Sequence, residues 1–198
     1  GARAATTFGS LSAGGGNMVF IKKLTASADA NLTFVDGASS VVLDSTYKEY
    51  LFTFNNIHPA TDDSKLLVNF RDGGTDYDAT KTTTFFRAQH SEGGANGNLS
   101  YRTDDDLAQS TAAQPLTMDI GNANDESASG EMILYNPSST TFVKHFIANA
   151  NCVYSGDYSM QSFVAGYCNV TAAIDAVQFT MEGGTNIDSG DICLYGIL

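Results

Sequence analysis

The sequence predicts an all-β protein, an antiparallel β-sandwich or jelly roll carrying an extended N-terminal arm, and three observations carry that expectation. Short runs rich in Phe, Tyr, Val, Ile and Thr recur between clusters such as Asp72-Gly73-Gly74, Glu92-Gly93-Gly94 and Glu182-Gly183-Gly184, the punctuation of strands and turns. Tyr50, Phe52 and Phe54 alternate with Leu51, Thr53 and Asn55, a period of two that sets the aromatics on one face. No run of helical periodicity is long enough to cover a parallel sheet, so the strands are expected to pair antiparallel.

Taken in order, residues 1–17 (GARAATTFGSLSAGGGN) hold small residues and the glycine triplet Gly14, Gly15 and Gly16. Phe8 and Leu11 are almost their only apolar anchors. Such a segment buries too little surface to order itself. It reads as an assembly arm, held by a neighbouring subunit or laid along its own domain. Residues 18–198 read as one sandwich domain, a length at which a single core suffices. Its expected strands are Met18–Leu24, Tyr47–Ile57, Lys65–Arg71, Thr82–His90, Pro115–Ile120, Glu131–Tyr135, Phe142–Ala150, Ile174–Met181 and Asp191–Ile197. One internal echo stands out: Ser129-Gly130-Glu131-Met132-Ile133-Leu134-Tyr135 matches Ser189-Gly190-Asp191-Ile192-Cys193-Leu194-Tyr195 in residue character. The rest of the chain shows no repeat, so the two segments are expected to be strands in similar positions, each entered by a Ser-Gly turn.

The net charge is −12 and is unevenly spread, since the stretch from Thr103 onward carries twelve Asp and Glu against the single Lys144. An acidic surface repels phosphate, which argues against nucleic acid and anionic membrane as partners. The acidic half reads as a solvated face. No apolar run approaches a membrane span, and the N-terminus has neither the charged start nor the apolar run of a secretory signal. Cys152, Cys168 and Cys193 lack metal-ligand spacing. They read as buried thiols made in a reducing cytosol, with a Cys152–Cys168 bridge as the alternative.

Catalytic motifs are missing. His58, His90 and His145 sit in no recognisable catalytic context, and the sequence has no nucleophile elbow, zinc pair or phosphate loop. No cofactor is expected. Asp72, Asp76 and Asp78 are spaced to offer oxygens to calcium, but Asp-Gly and Gly-Gly are also ordinary turn chemistry, which is the preferred account. Asp104-Asp105-Asp106 reads as a solvated loop. Tyr77, Tyr101, Tyr154, Tyr158 and Tyr167, placed in or near loops, are candidate sugar contacts and equally ordinary packing residues.

Three segments carry a family resemblance. They are Tyr47-Lys48-Glu49-Tyr50-Leu51-Phe52-Thr53-Phe54-Asn55-Asn56-Ile57-His58-Pro59-Ala60-Thr61-Asp62, then Ser129 through His145 with Asn136-Pro137-Ser138-Ser139 at its centre, and Ile174-Asp175-Ala176-Val177-Gln178-Phe179 with Asn186-Ile187-Asp188-Ser189-Gly190 and the ending Leu194-Tyr195-Gly196-Ile197. Together they resemble a family encoded in the structural-gene regions of tailed phages and prophages. The resemblance implies a virion protein, a capsid decoration protein or a short tail or head fibre component, assembled in the bacterial cytoplasm, with no catalytic residues to carry over. Its expected partners are phage capsid or tail proteins and further copies of itself, a trimer first, with a host surface glycan as the alternative ligand. The Gly183-Gly184-Thr185 insertion departs from the family pattern.

Overall fold

The computed structural model describes residues 17–198; the arm residues Phe8, Leu11, Gly14, Gly15 and Gly16 lie outside them. Twelve strands follow in order: β1 (Met18–Asp29), β2 (Leu32–Val35), β3 (Glu49–Pro59), β4 (Leu66–Arg71), β5 (Lys81–Ser91), β6 (Gly97–Tyr101), β7 (Gln114–Pro115), β8 (Ala128–Tyr135), β9 (Lys144–Tyr154), β10 (Tyr158–Cys168), β11 (Ala176–Met181) and β12 (Ile187–Ile197). All pair antiparallel, in an eight-stranded sheet ordered β1-β12-β3-β8-β9-β10-β5-β6 and a four-stranded sheet ordered β2-β11-β4-β7. The protein is a β-sandwich. With β5, β6, β9 and β10 set aside as an extension of the large sheet, the remaining eight strands form two four-stranded sheets, β1-β12-β3-β8 and β2-β11-β4-β7, which is the winding of a jelly roll.

Inward-facing side chains of both sheets form one core. Tyr50, Phe52 and Phe54 share its face, as their alternation requires, and are at most 3% exposed. Phe179 of β11 closes that cluster from the smaller sheet, its ring 5.5 Å from Phe52, 5.4 Å from Phe54 and 6.2 Å from Phe34. The phenol of Tyr50 stays satisfied by donating to the Asp44 carbonyl at 2.8 Å, so burying it leaves no orphaned polar group.

The echoed segments are β8 and β12, and both pair with β3, one on each side. Their Ser-Gly dipeptides lie within the strands, not in turns as expected, because both face the same irregularity in β3. There Asn56 takes a positive φ of 51°, and the register slips on both flanks. Ser129 Oγ accepts the Asn56 N–H at 3.0 Å. Gly190, at φ 117°, comes so close that a Cβ would meet the Asn56 carbonyl oxygen at 2.6 Å; only glycine fits there.

Several boundaries differ from the sequence expectation. The run expected as Pro115–Ile120 keeps only Gln114–Pro115 as strand, with Ile120 making one isolated bridge to Ser64. Three strands were not expected at all. β10 hides because its inward positions include Ser162 and Gly166 beside Met160, Val164 and Cys168, which blurs the alternation. β6 is exposed along its length and exists through its ladder with β5. β2 spans only four residues.

Candidate functional site

The sandwich buries one face of the large sheet and leaves the other to solvent, and ladder register decides what that outer face presents. Cross-strand partners stand about 4.5–5.5 Å apart, so residues aligned in register form continuous rows. One row runs Phe20, Tyr195, Leu51, Ile133, Ile147, Ala165 and Thr84 across seven strands. It contains no charge. Phe20 is 58% exposed and Ile147 51%. Next to it lies the row Lys23, Cys193, Thr53, Glu131, Asn149, Phe163, Phe86 and Tyr101, where Phe86 and Phe163 stack with centroids 4.8 Å apart. On the other side are Ile197, Tyr135, His145 and Tyr167.

Two open depressions of about 370 and 390 Å³ lie in this face. Both are floored by the short side chains of Ala165 and Thr84 and share the wall of Ile147. Towards the opposite end of the strands the same face turns polar, with Ser129, Asn149, Asn151 and Gln161 lining a third depression. Contiguous exposed apolar strips of this kind are enriched at interaction surfaces in general. The β1 edge of the sheet carries Lys22 and Lys23 and a bulge between Phe20 and Lys22, devices that discourage strand addition there.

The candidate sugar contacts do not converge. Tyr154 and Tyr158 meet at 6.2 Å where β9 turns into β10, and both pack against the core. Tyr77 lies at the far end of the sheets, its ring 5.9 Å from the Arg71 guanidinium carbon. Tyr101 stands on the edge strand β6 and donates to Asp106 at 2.5 Å. Tyr101, Tyr154, Tyr158 and Tyr167 are strand residues at or next to strand ends, beside the loops they were expected to be in or near. Asp72, Asp76 and Asp78 lie between β4 and β5, and among the described residues no group of three His, Cys, Asp or Glu side chains gathers as a metal site. His58 approaches Asp188 at 3.9 Å, while His90 and His145 sit apart from it on the outer face.

Asp104-Asp105-Asp106 is not uniformly solvated. The Asp105 side chain is 1% exposed and is held by Lys65 at 2.8 Å and Arg102 at 3.0 Å. Burial opposes the charge on Lys65, but its hydrogen bond to Asp105 and the attraction of Asp105, Asp119 and Glu182 outweigh that and raise its pKa.

Sequence reasoning also missed two buried lysines. Lys81 and Lys144 are fully buried, and both are register partners of the buried Cys168. Their signal was faint: each opens a strand whose alternate positions then run inward. Lys144 donates to the carbonyls of Ser139, Phe142 and Val170.

All three cysteines are free thiols. A Cys152–Cys168 bridge is excluded by register, since Cys152 pairs with Met160 at one end of the β9/β10 ladder and Cys168 with Lys144 at the other. Burial pushes both thiols up to about 12. At pH 8 the native protein is expected to react rapidly with a thiol reagent only at half-exposed Cys193, and at all three cysteines once denatured; a single reactive thiol after denaturation would contradict the reduced state. Unfolded thiols ionise from about 9 while the buried pair stays neutral, so their contribution is whole below pH 9. It then falls by about 1.4 kcal/mol per pH unit per thiol towards pH 12.

No protein-family model matches the chain, and no curated protein matches it.

Proposed function

We propose that this protein is a non-enzymatic surface component of a tailed-phage virion, a capsid decoration protein or a short fibre or tail component. It self-associates as a trimer and docks on the particle through residues 1–17. The observation that carries this reading is the uncharged row from Phe20 to Thr84 on the outer face of the large sheet, with Phe20 and Ile147 exposed. Copies carrying a net charge of −12 repel one another. They can approach closely only where charge is missing and apolar area is gained, at roughly 25 cal/mol per Å² buried. That description fits the outer face. The family resemblance supplies the setting, and the Gly-rich sequence of residues 1–17, which leads into edge strand β1, is the segment proposed to dock.

The test is sedimentation of the full chain. The wild type is expected to run as an oligomer and Ile147→Glu as a monomer with an unchanged circular dichroism spectrum. A wild type that stays monomeric at 100 μM would remove the support for self-association.

A carbohydrate-binding role is favoured by one specific observation. The amides of Asn149, Asn151 and Gln161 lie beside the stacked Phe163 and Phe86 on the same face, pairing hydrogen-bonding groups with an apolar platform as sugars require. Saturable, sugar-competed binding on a glycan array, lost in Gln161→Ala, would favour this role over assembly.

A further inference from the structure

We propose that Lys81 and Asn69 join in an intramolecular isopeptide bond, formed by the folded chain itself with release of ammonia. The proposal does not rest on the assembly role.

Lys81 opens β5 in the large sheet and Asn69 lies in β4 of the small one. The Lys81 side chain is fully buried, and its Nζ meets Asn69 Oδ1 at 2.5 Å. At an ordinary hydrogen-bond angle on a carbonyl this places Nζ about 3.3 Å from the carboxamide carbon, near enough that a rotation of the lysine end, from donating to Oδ1 to facing the carboxamide plane, would bring its lone pair to attack. The carboxamide is fixed at both ends. Its Nδ2 donates to the Thr111 carbonyl at 3.1 Å, and its Oδ1 accepts the Phe70 N–H at 3.1 Å. The second of these donors would also stabilise negative charge developing on that oxygen.

Reaction needs a neutral amine, and burial lowers the Lys81 pKa to about 8, so that the neutral form becomes a substantial fraction at mildly alkaline pH. The Nζ lone pair attacks Cγ of Asn69 and forms the new C–N bond. A proton passes from Nζ to the departing nitrogen, the old C–N bond breaks, and ammonia leaves. One amide replaces another, so no oxidant or activated donor is required. The driving force is local: a buried amine that no carboxylate hydrogen-bonds is exchanged for a neutral amide, and ammonia is protonated in water.

The other two lysines buried or nearly so act as internal controls. Lys65 is paired with Asp105 and held protonated, so it is no nucleophile. Lys144 contacts only backbone carbonyls among its hydrogen-bond partners, which are poor acyl donors. Lys81 alone of the three combines a depressed pKa with a carboxamide at contact distance. The bond would tie the two sheets together at the end of the sandwich where β4 leads into β5.

Intact-mass spectrometry of the full chain tests this. The purified protein is expected to be lighter than its sequence mass by one ammonia, about 17 Da, with a protease digest yielding a branched peptide that joins Lys81 to Asn69. Lys81→Arg and Asn69→Ala should each restore the full mass. The full sequence mass in the wild type after prolonged incubation at pH 8 would overturn the proposal. So would an ammonia loss that persists in Asn69→Ala, for Asn96-Gly97 can lose ammonia by succinimide formation. The branched peptide is read from the wild type, so the test survives a variant that fails to fold.

Discussion

Phe179→Ala is expected to destabilise the fold by about 3–5 kcal/mol and to lower Tm on the order of 10 °C. Phe179 is fully buried at the centre of the smaller sheet, and its ring holds Phe34, Phe52 and Phe54 of both sheets at edge or tilted angles. Truncation removes the transfer free energy of the ring. It also leaves a cavity that cannot close, because the three facing rings sit on two different strands fixed by their own ladders. The paired aromatic contacts add about 0.5–1.5 kcal/mol each beyond area burial. Urea unfolding of the variant reads the loss directly. A change under about 1 kcal/mol would mean that the two sheets do not meet through this ring.

Asp105→Ala is expected to cost about 3–5 kcal/mol, the range for removing one partner of a buried ion pair. Asp105 accepts from Lys65 and Arg102 through its two carboxylate oxygens, and its backbone carbonyl accepts Gln114 Nε2 at 2.9 Å. Without the carboxylate, Lys65 keeps only Asp119 at 3.8 Å and Glu182 at 3.7 Å, and Arg102 loses its salt-bridge partner. Asp105→Asn keeps the shape and removes the charge, so it should fall between the variant and the wild type. Exposed Asp104 provides the contrast, with Asp104→Ala expected within about 0.5 kcal/mol of wild type. Equal midpoints for Asp104→Ala and Asp105→Ala in urea would show that the ion pair contributes nothing net.

Neighbours in sequence, these two aspartates also mark where sequence reading ran out. The run Asp104-Asp105-Asp106 has the composition of a solvated loop, and nothing local distinguishes its middle member. The distinction comes from Lys65, forty residues earlier, which only the packing of β4 against this loop brings near. The tyrosines follow the same pattern. Tyr154 and Tyr158 are near neighbours and do meet, whereas Tyr77 and Tyr101 resemble them in sequence context and lie elsewhere. Candidate residues chosen by type converge only if the topology gathers them, and topology is not a local property.

Strand legibility varied for a related reason. β3 was plain because its inward face is wholly apolar at Tyr50, Phe52 and Phe54. β10, equally central in the sheet, was not, because Gly166 sits inward where a Cβ would strike Thr83 Cγ2 at 2.6 Å. Close packing there selects the smallest residue and erases the pattern. The Ser-Gly echo was visible but its cause was not, since the irregularity at Asn56 lies in the strand between the two copies.

The sequence by itself determined the all-β class, the inward alternation of the strongest strands and the acidic balance of the chain, because these depend on side-chain chemistry at spacings of two residues and on simple counts. Only the tertiary structure decided that Phe20, Leu51, Ile133, Ile147 and Tyr195 form one uncharged row on the outer face, that Lys81 reaches Asn69, and that Asp105 is buried. Each of those facts joins strands through ladder register or sheet packing, and the free energy that fixes register is shared across the whole core and is not carried by any segment alone.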